Sequence, residues 1–492
     1  MTATRRNRIY IIGAGLAGIS IARDIREKRF PAEIVAFLDD DREKIGTRID
    51  NVPVLGPIEA AASLVEKRPA DEALIAIPSA SHEKLRSIYA ILERAGFSRI
   101  RILPGISQMM EGDAHFIQTR EVDPQDLLGR TPAKIGLKES LSYLRGKRVL
   151  ITGAGGSIGS ELSRQLLSGG AERLYLFGHG ENSIYEIDRE LRLLQEEGVG
   201  ERATIVPVIG EIQDEDFVRF ILDRLKADVI FHTAAYKHVP MVEANPVVAV
   251  KNNVFGTHNL LEGAKAAGTE RFVLISTDKV VEPVSVYGVS KRIAEELVLS
   301  QPDGRQQYMV VRFGNVLGSR GSILPLFRKQ IAKGGPITIT SPGAKRFFMT
   351  ITEAASLVLK AGGVGSGGNL YLLDMGEPIA IKELAEQLVR FYGYEPGSDI
   401  PFSYIGMRAG EKEEEALYAP DEHPVDTEFP RIKQIIRAQR NGHGLSALLE
   451  RLAPVCFLDP AAPDRYRDRR ELRRILSEYV PSLKIPEHEP QY

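Results

Sequence analysis

Residues 147–159 read KRVLITGAGGSIG. RVLIT has the apolar content of a buried strand. Glycines at 153, 155, 156 and 159 interrupt it before the helical stretch SELSRQLLSGG, 160–170. The spacing Gly153-x-x-Gly156-x-x-Gly159 suits a strand–turn–helix whose backbone must come close to a pyrophosphate, with the helix N-terminus supplying partial positive charge. Ser157 and Ile158 belong to the same turn. The next strand, ERLYLFGHG, ends in Phe177, Gly178 and His179, with no carboxylate before Glu181. An acid for an adenosine ribose is therefore missing or displaced, and no arginine stands there for a 2′-phosphate, so both NAD and NADP stay open.

The pattern occurs a second time, nearer the N-terminus. RIYIIG leads into Gly13, Gly15 and Gly18, a helical ISIARDIREKRF, and a strand EIVAFLDDD carrying Asp39, the position for a ribose hydroxyl. Further strands are expected at VPVLG, ALIAIP and RIRILP after the first unit, and at TIVPVIG, DVIFHTAA, RFVLIST and YMVVRFG after the second. This alternation predicts an α/β protein of two Rossmann-like doubly wound parallel-sheet domains, the second with a smaller C-terminal substrate-binding lobe. The expected divisions are 1–125, a Pro- and charge-rich linker at 126–146, a catalytic domain at 147–455, and a charged tail at 456–492. In that tail, DRYRDRRELRRILSEY interleaves acids with arginines and reads as a solvated helix. No acid–base constellation follows the strands of the first unit, which points it toward regulation or scaffolding.

The chain has 492 residues, 43% hydrophobic and 26% charged, with formal net charge −2. This composition fits a globular protein of more than one domain and argues against a polycation built for nucleic acid. The one cysteine, Cys456, allows no internal disulfide and no cysteine metal cluster, which fits a reducing compartment. No apolar run is long enough to span a bilayer. A cytoplasmic protein without a metal is expected, and a homo-oligomer is the expected assembly.

In an open parallel sheet, ligands sit beyond the carboxyl ends of the strands. In the second unit those ends present Glu211 and Ile212, the small Ala234 and Ala235 where a flat cofactor could lie, and then 276–291, STDKVVEPVSVYGVSK. Tyr287 and Lys291 fall at i and i+4 on one helical face. A tyrosine is a poor base at neutral pH unless nearby cations favour its phenolate. Lys291 and a nicotinamide ring would do so, letting Tyr287 take a proton from a sugar hydroxyl while hydride leaves the same carbon. Asp278 and Lys279 add an acid and an amine. As neighbours in an ideal strand they would face opposite ways, so they can converge only if the chain leaves strand geometry there.

Residues 147–420 resemble the extended short-chain dehydrogenase/reductase superfamily, and within it the UDP-N-acetylglucosamine 4,6-dehydratases of bacterial capsule and glycan biosynthesis. The matching stretches are TGAGGSIGSEL, HTAAYKHVPMVE, NNVFGT, STDKVVEPVSVYGVSK, RFGNVLGSRGSILPLF, PITIT, RFFMTITEAA, LDMGEP and RAGEKEEE. The first domain resembles the nucleotide-binding-like domain of the long members. The resemblance implies a tightly held NAD or NADP that is recycled each turnover, and a UDP-N-acetylglucosamine or related UDP-sugar substrate. It further implies Tyr287 as C4 base, Lys279 as C5 base and Asp278 as the acid for the departing C6 hydroxyl, with Thr277 orienting the sugar. For Lys279 to act as a base it must be at least partly neutral. Asn315 and Arg320 correspond to nucleotide-sugar contacts, Arg346 and Arg408 to diphosphate ligands, Glu411 to a ribose contact, and PITIT to backbone for the uracil edge. Lys237, near the cofactor floor, is a candidate substrate contact. A 4-epimerase would use the same Tyr287 and Lys291 but needs neither Asp278 nor Lys279. A non-catalytic NAD(P)-binding regulator would need none of the four. Long members commonly carry membrane helices before the first domain, and none is present in this sequence. Some long members replace the tyrosine by methionine, whereas this chain keeps Tyr287. The long architecture leans toward retention at C5.

Overall fold

The structure is a computed structural model describing residues 7–26, 32–77, 80, 82–97, 99–102, 120–121, 141–200, 203–301, 304–391, 394–437 and 444–489. The chain divides into two compact units, Met1–Thr131 with Leu384–Pro401, and Pro132–Glu383 with Phe402–Tyr492. Most of the expected linker, 126–140, lies outside the described residues.

In the first unit, strands β1 (Asn7–Ile12), β2 (Ala32–Leu38), β3 (Glu72–Ile75), β4 (Arg99–Ile102) and β5 (Arg120–Glu121) form a sheet in the order β2-β1-β3-β4-β5. All pairings are parallel except β5 on β4. Alternate residues serve opposite faces, as the period of two requires. Tyr10, Ile12, Leu38 and Ile75 enter one apolar cluster, and Ile9, Ile11, Phe37 and Leu74 the other. Helix α1 (Leu16–Asp24) starts directly after the glycine turn. The expected strand VPVLG meets the edge of this sheet at one bridge only, Val54 beside Phe37 of β2 in parallel, with Leu55 N donating to the Phe37 carbonyl at 3.0 Å. Its first two residues, Val52–Pro53, pair antiparallel with Arg48–Ile49, and Pro57 soon ends the extended run.

The second unit is built on strands β6 (Arg148–Thr152), β7 (Arg173–Gly178), β8 (Thr204–Ile209), β9 (Val229–His232), β10 (Arg271–Thr277) and β11 (Gln307–Phe313), with helix α2 (Ser157–Ser168) after β6. β12 (Leu370–Leu373), β13 (Glu422–Asp426) and β14 (Ile432–Arg437) extend the sheet to the order β8-β7-β6-β9-β10-β11-β12-β14-β13. The first six strands are parallel, and both faces are covered. Leu150, Phe177, Ile230, Phe272 and Val310 pack on one side, and Val149, Ile151, Leu176, Phe231 and Val311 on the other. Each such side chain, fully buried, contributes about 1.5–3 kcal/mol. Two-stranded ladders lie outside the main sheet, including Ile337–Ile339 against Phe402–Tyr404. One backbone edge of PITIT is therefore already paired.

The C-terminal segment is not a solvated tail. Helix Arg469–Tyr479 buries Leu472, Ile475 and Leu476, an i, i+3, i+4 apolar stripe, in the core of the second unit. Arg473 is 1% exposed and donates to Glu243 Oε2 at 2.7 Å and to the Glu243 carbonyl at 2.9 Å. The interleaved charges thus include a buried pair, which position along the sequence does not reveal.

Candidate active site

The glycine turn after β6 is shaped by close contacts. Gly153 has φ +69°, and a methyl group placed on it would sit 2.8 Å from Ala234 N. One on Gly159 would meet the Gly153 carbonyl oxygen at 2.2 Å. Only glycine satisfies both constraints. The turn opens one wall of a cleft of about 260 Å³ lined by Gly153, Gly155, Gly156, His179, Glu211, Ile212, Ala234, Ala235 and Arg320. A cradle of bare backbone at a helix N-terminus, with a flat alanine floor, fits the pyrophosphate and rings of a dinucleotide. Asn253 fixes that floor, accepting from Tyr236 N at 2.9 Å and donating to its carbonyl at 3.0 Å. Ser157 and Ile158 open α2, and Ser157 Oγ accepts from Arg320 N at 3.1 Å. Arg320 also donates to the Gly155 carbonyl at 3.0 Å. Arg320 thus lines the cleft beside the glycine turn, with its exposed guanidinium also on Glu186 at 2.9 Å.

At the end of β10 the chain leaves strand geometry. Asp278–Val280 is a single 3-10 turn, capped by Thr277, whose hydroxyl accepts from Lys279 N at 3.4 Å. This turn lets the neighbours Asp278 and Lys279 converge. Lys279 Nζ donates to Asp278 Oδ1 at 2.9 Å and to Asn315 Oδ1 at 3.3 Å. Thr277 Oγ1 donates to the same Asp278 oxygen at 2.9 Å and lies beside the Tyr287 phenol. Helix α3 (Val286–Leu299) begins at Ser285, whose hydroxyl accepts from Gly288 N, and it buries both Tyr287 and Lys291. Thr277, Asp278, Lys279, Tyr287 and Asn315 thus form one cluster.

The cluster contains a residue that the sequence reading missed. Glu415 Oε1 lies 3.8 Å from Lys279 Nζ, and the Glu415 side chain is 4% exposed. The loop carrying it is tied down at three points. Lys412 Nζ donates to the Val281 carbonyl at 2.7 Å, and Arg346 donates to the carbonyls of Lys412 at 2.6 Å and Glu413 at 2.7 Å. The run of glutamates 413–415 resembles a solvated charge run, and only the loop's return over the end of β10 sets Glu415 apart. Arg346 accordingly spends its donors on backbone. Arg408 Nε and Glu411 Oε1 bind each other at 2.9 Å, outside the cluster.

The electrostatics differ from the sequence expectation. Burial pulls the Lys279 ammonium down, but the Asp278 and Glu415 carboxyls outweigh it and hold its pKa above the ordinary lysine value. The two flanking acids thus favour the ammonium over the neutral amine. Burial pushes the Tyr287 phenol up, and Lys279 and Thr277 only partly offset this. Burial brings Lys291 down to about 8, with Glu295 opposing. The Lys237 ammonium is lowered by burial and by the nearby Lys279 charge. Glu415 is raised by burial, opposed by Lys279 and reinforced by Asp278.

Among the described residues there is no group of three or more His, Cys, Asp or Glu side chains placed to hold a metal, and no helix is long and apolar enough to cross a membrane. A family model described as a polysaccharide biosynthesis protein matches residues 149–437, and one described as a CoA-binding domain matches 1–104. The probable polysaccharide biosynthesis protein EpsC of Bacillus subtilis is 42% identical over 428 residues, 87% of this chain and 71% of that protein. A UDP-N-acetylglucosamine 4,6-dehydratase (inverting) of Campylobacter jejuni is 30% identical over 318 residues, 62% of this chain and 89% of that enzyme. The solved structure of Pen from Bacillus thuringiensis aligns with TM-score 0.54 at 32% identity, covering 60% of this chain and 89% of that one. With its catalytic-type sheet matched from end to end, this chain belongs to the polysaccharide biosynthesis protein family.

Proposed function

We propose that the second unit is an NAD(P)-dependent nucleotide-sugar 4,6-dehydratase acting on UDP-N-acetylglucosamine or a close UDP-HexNAc. The observation that carries this reading is the convergence of Asp278, Lys279 and Glu415 on one side of Tyr287. C4 oxidation alone needs a single base, whereas loss of water across C5 and C6 needs a second base and an acid. Gly153, Gly156 and Gly159 with the Ala234–Ala235 floor would hold a nicotinamide dinucleotide, which would supply the hydride chemistry between C4 and C6. Tyr287 takes the C4 hydroxyl proton, with Thr277 orienting that hydroxyl. The 4-keto group then acidifies the C5 proton, and Lys279 is the amine placed to remove it. Lys279 first sheds its own proton, for which Asp278 Oδ1 at 2.9 Å is the nearest acceptor. Lys291 stays cationic below about pH 8 and favours the phenolate.

The relatives support the substrate class: one of them carries the dehydratase name over 89% of its length. Incubation with UDP-N-acetylglucosamine and NAD+ or NADP+, followed by NMR of the sugar, tests the reading. A 4-keto-6-deoxy product is expected. A galacto-configured sugar would instead mark an epimerase, and an unchanged spectrum would remove this substrate.

A further inference from the structure

Tyr287 is the second residue of α3, so where that helix starts decides where the phenol stands against Thr277 and Lys279. Two side chains hold the start. Ser285 Oγ accepts from Gly288 N at 3.1 Å, and Glu243 Oε1 accepts from Val286 N at 2.7 Å. The first is the usual serine cap of a helix. The second comes from a separate helix, Val239–Ala244, reaching across 43 residues of sequence. The turn it holds rests directly on the acid–amine turn: a methyl group on Gly288 would stand 2.3 Å from the Lys279 carbonyl oxygen.

Glu243 is itself aimed from the C-terminal helix. Arg473 donates to its Oε2 at 2.7 Å and to its carbonyl at 2.9 Å, and so fixes both ends of the residue. The carboxyl is thus split, one oxygen on a buried guanidinium and the other on the amide that precedes Tyr287. Glu489 also pairs with Arg473. Two further contacts tie the same segment to α3 and its approach. Ser482 Oγ donates to the Pro283 carbonyl at 2.9 Å, and the Tyr479 hydroxyl donates to Glu296 Oε2. Buried ion pairs add little net stability over apolar packing. This one sits where it sets a helix start.

We infer that Glu243, aimed by Arg473, is a positioning residue for Tyr287: its Oε1 holds Val286 N, and through it the register of the first turn of α3 against the Lys279 carbonyl. The inference rests on the proposed oxidation at C4, in which Tyr287 takes the hydroxyl proton while hydride leaves for the nicotinamide, and not on the product that follows. Val286 is fully buried. Without the Glu243 oxygen its amide is left unpaired, and the first turn relieves this by moving. A displacement of about 1 Å at the phenol costs about 10²-fold in rate.

The test compares the parent protein with Glu243→Leu, Glu243→Gln and Arg473→Met. Each is loaded with NAD+ or NADP+, and C4 oxidation of UDP-N-acetylglucosamine is timed in a single turnover per loaded protein, with hydrogen and with deuterium at C4. Glu243→Leu is expected to oxidise C4 about 10²-fold more slowly, with cofactor affinity kept and the deuterium effect kept or enlarged. Glu243→Gln retains an oxygen for Val286 N and should recover most of the loss. Arg473→Met should fall between them. Amide exchange over 286–291 should quicken in Glu243→Leu while that of β10 holds, a readout that needs no cofactor. The parent rate per loaded protein in Glu243→Leu or in Arg473→Met would overturn the inference. So would Glu243→Gln as slow as Glu243→Leu, a diminished deuterium effect, or exchange quickened across the whole unit, which would mark a plain loss of stability. If the parent itself does not oxidise C4, the proposed function fails and the inference falls with it; oxidation by the parent that the variants match would remove the inference alone.

Discussion

The two units build the same glycine turn and put it to different ends. Gly13 has φ +100° and Gly153 φ +69°. A methyl group on Gly18 would stand 2.0 Å from the Gly13 carbonyl oxygen, and one on Gly159 stands 2.2 Å from that of Gly153. In both units the third glycine lets the helix pack against the first glycine's carbonyl. The units diverge at the strand ends. In the first, Asp39 is drawn back onto the backbone, accepting from Ala14 N at 2.6 Å and Asp41 N at 2.9 Å. In the second, β7 ends without an acid, and the ionisable groups gather at the end of β10. The glycine pattern therefore reports how a strand meets a helix. Chemistry has to be read from the strand ends.

Substitutions in the two units should separate these roles. The largest effect is expected from Tyr287→Phe, which should lower turnover about 10²–10⁴-fold while leaving the melting temperature close to the parent's. An equal loss of stability would make Tyr287 a packing residue. Next comes the buried ion network of the second unit, in which Arg312 meets Glu295 at 2.9 Å and Glu422 at 2.7 Å, with Arg437 on both acids. Arg312→Ala should cost about 3–5 kcal/mol, because it strands buried charge. The same network sets an acid limit. Burial would raise Glu422, but Arg312 and Arg437 bring it down to about 2 from its ordinary 4.5. Its stabilisation is complete above pH 4.5 and is lost as pH falls toward about 2. Hydrogen exchange along β11 and β14 should report that loss, and a flat response over this interval would contradict it.

A smaller and more symmetrical effect is expected at the glycines. Gly18→Ala and Gly159→Ala should each destabilise their own unit by about 1–3 kcal/mol, since both force a methyl group onto a carbonyl. Only Gly159→Ala should also weaken NAD(P) binding to the second unit. Equal loss in both variants would place a working dinucleotide site in the first unit as well.

Much of this architecture was legible in the sequence. The strands RVLIT, RFVLIST and YMVVRFG were readable because continuous apolar runs between turn residues leave little choice in a sheet covered on both faces. The i, i+4 pair Tyr287–Lys291 was readable for a similar reason, since helical periodicity fixes a shared face. Glu415 was not readable. Its place beside Lys279 depends on a loop returning across 131 residues, held by Lys412 on the Val281 carbonyl. The upward pull on the Lys279 amine was not readable either, because burial alone lowers an amine and the second acid beside it was not known from sequence. Arg320, a nucleotide-sugar contact by resemblance, has a guanidinium that reaches the Gly155 carbonyl, a contact that sequence does not show. The C-terminal helix hid its buried Arg473 among arginines that look alike along the chain.

The central claim is that one cluster at the end of β10 couples oxidation at C4 to elimination at C6 with no net redox change. Tracking a label tests this most directly. With UDP-N-acetylglucosamine deuterated at C4, the account predicts that the deuterium appears in the C6 methyl group of a 4-keto product. Deuterium found back on C4 of a galacto sugar, or lost to an external acceptor, would contradict it.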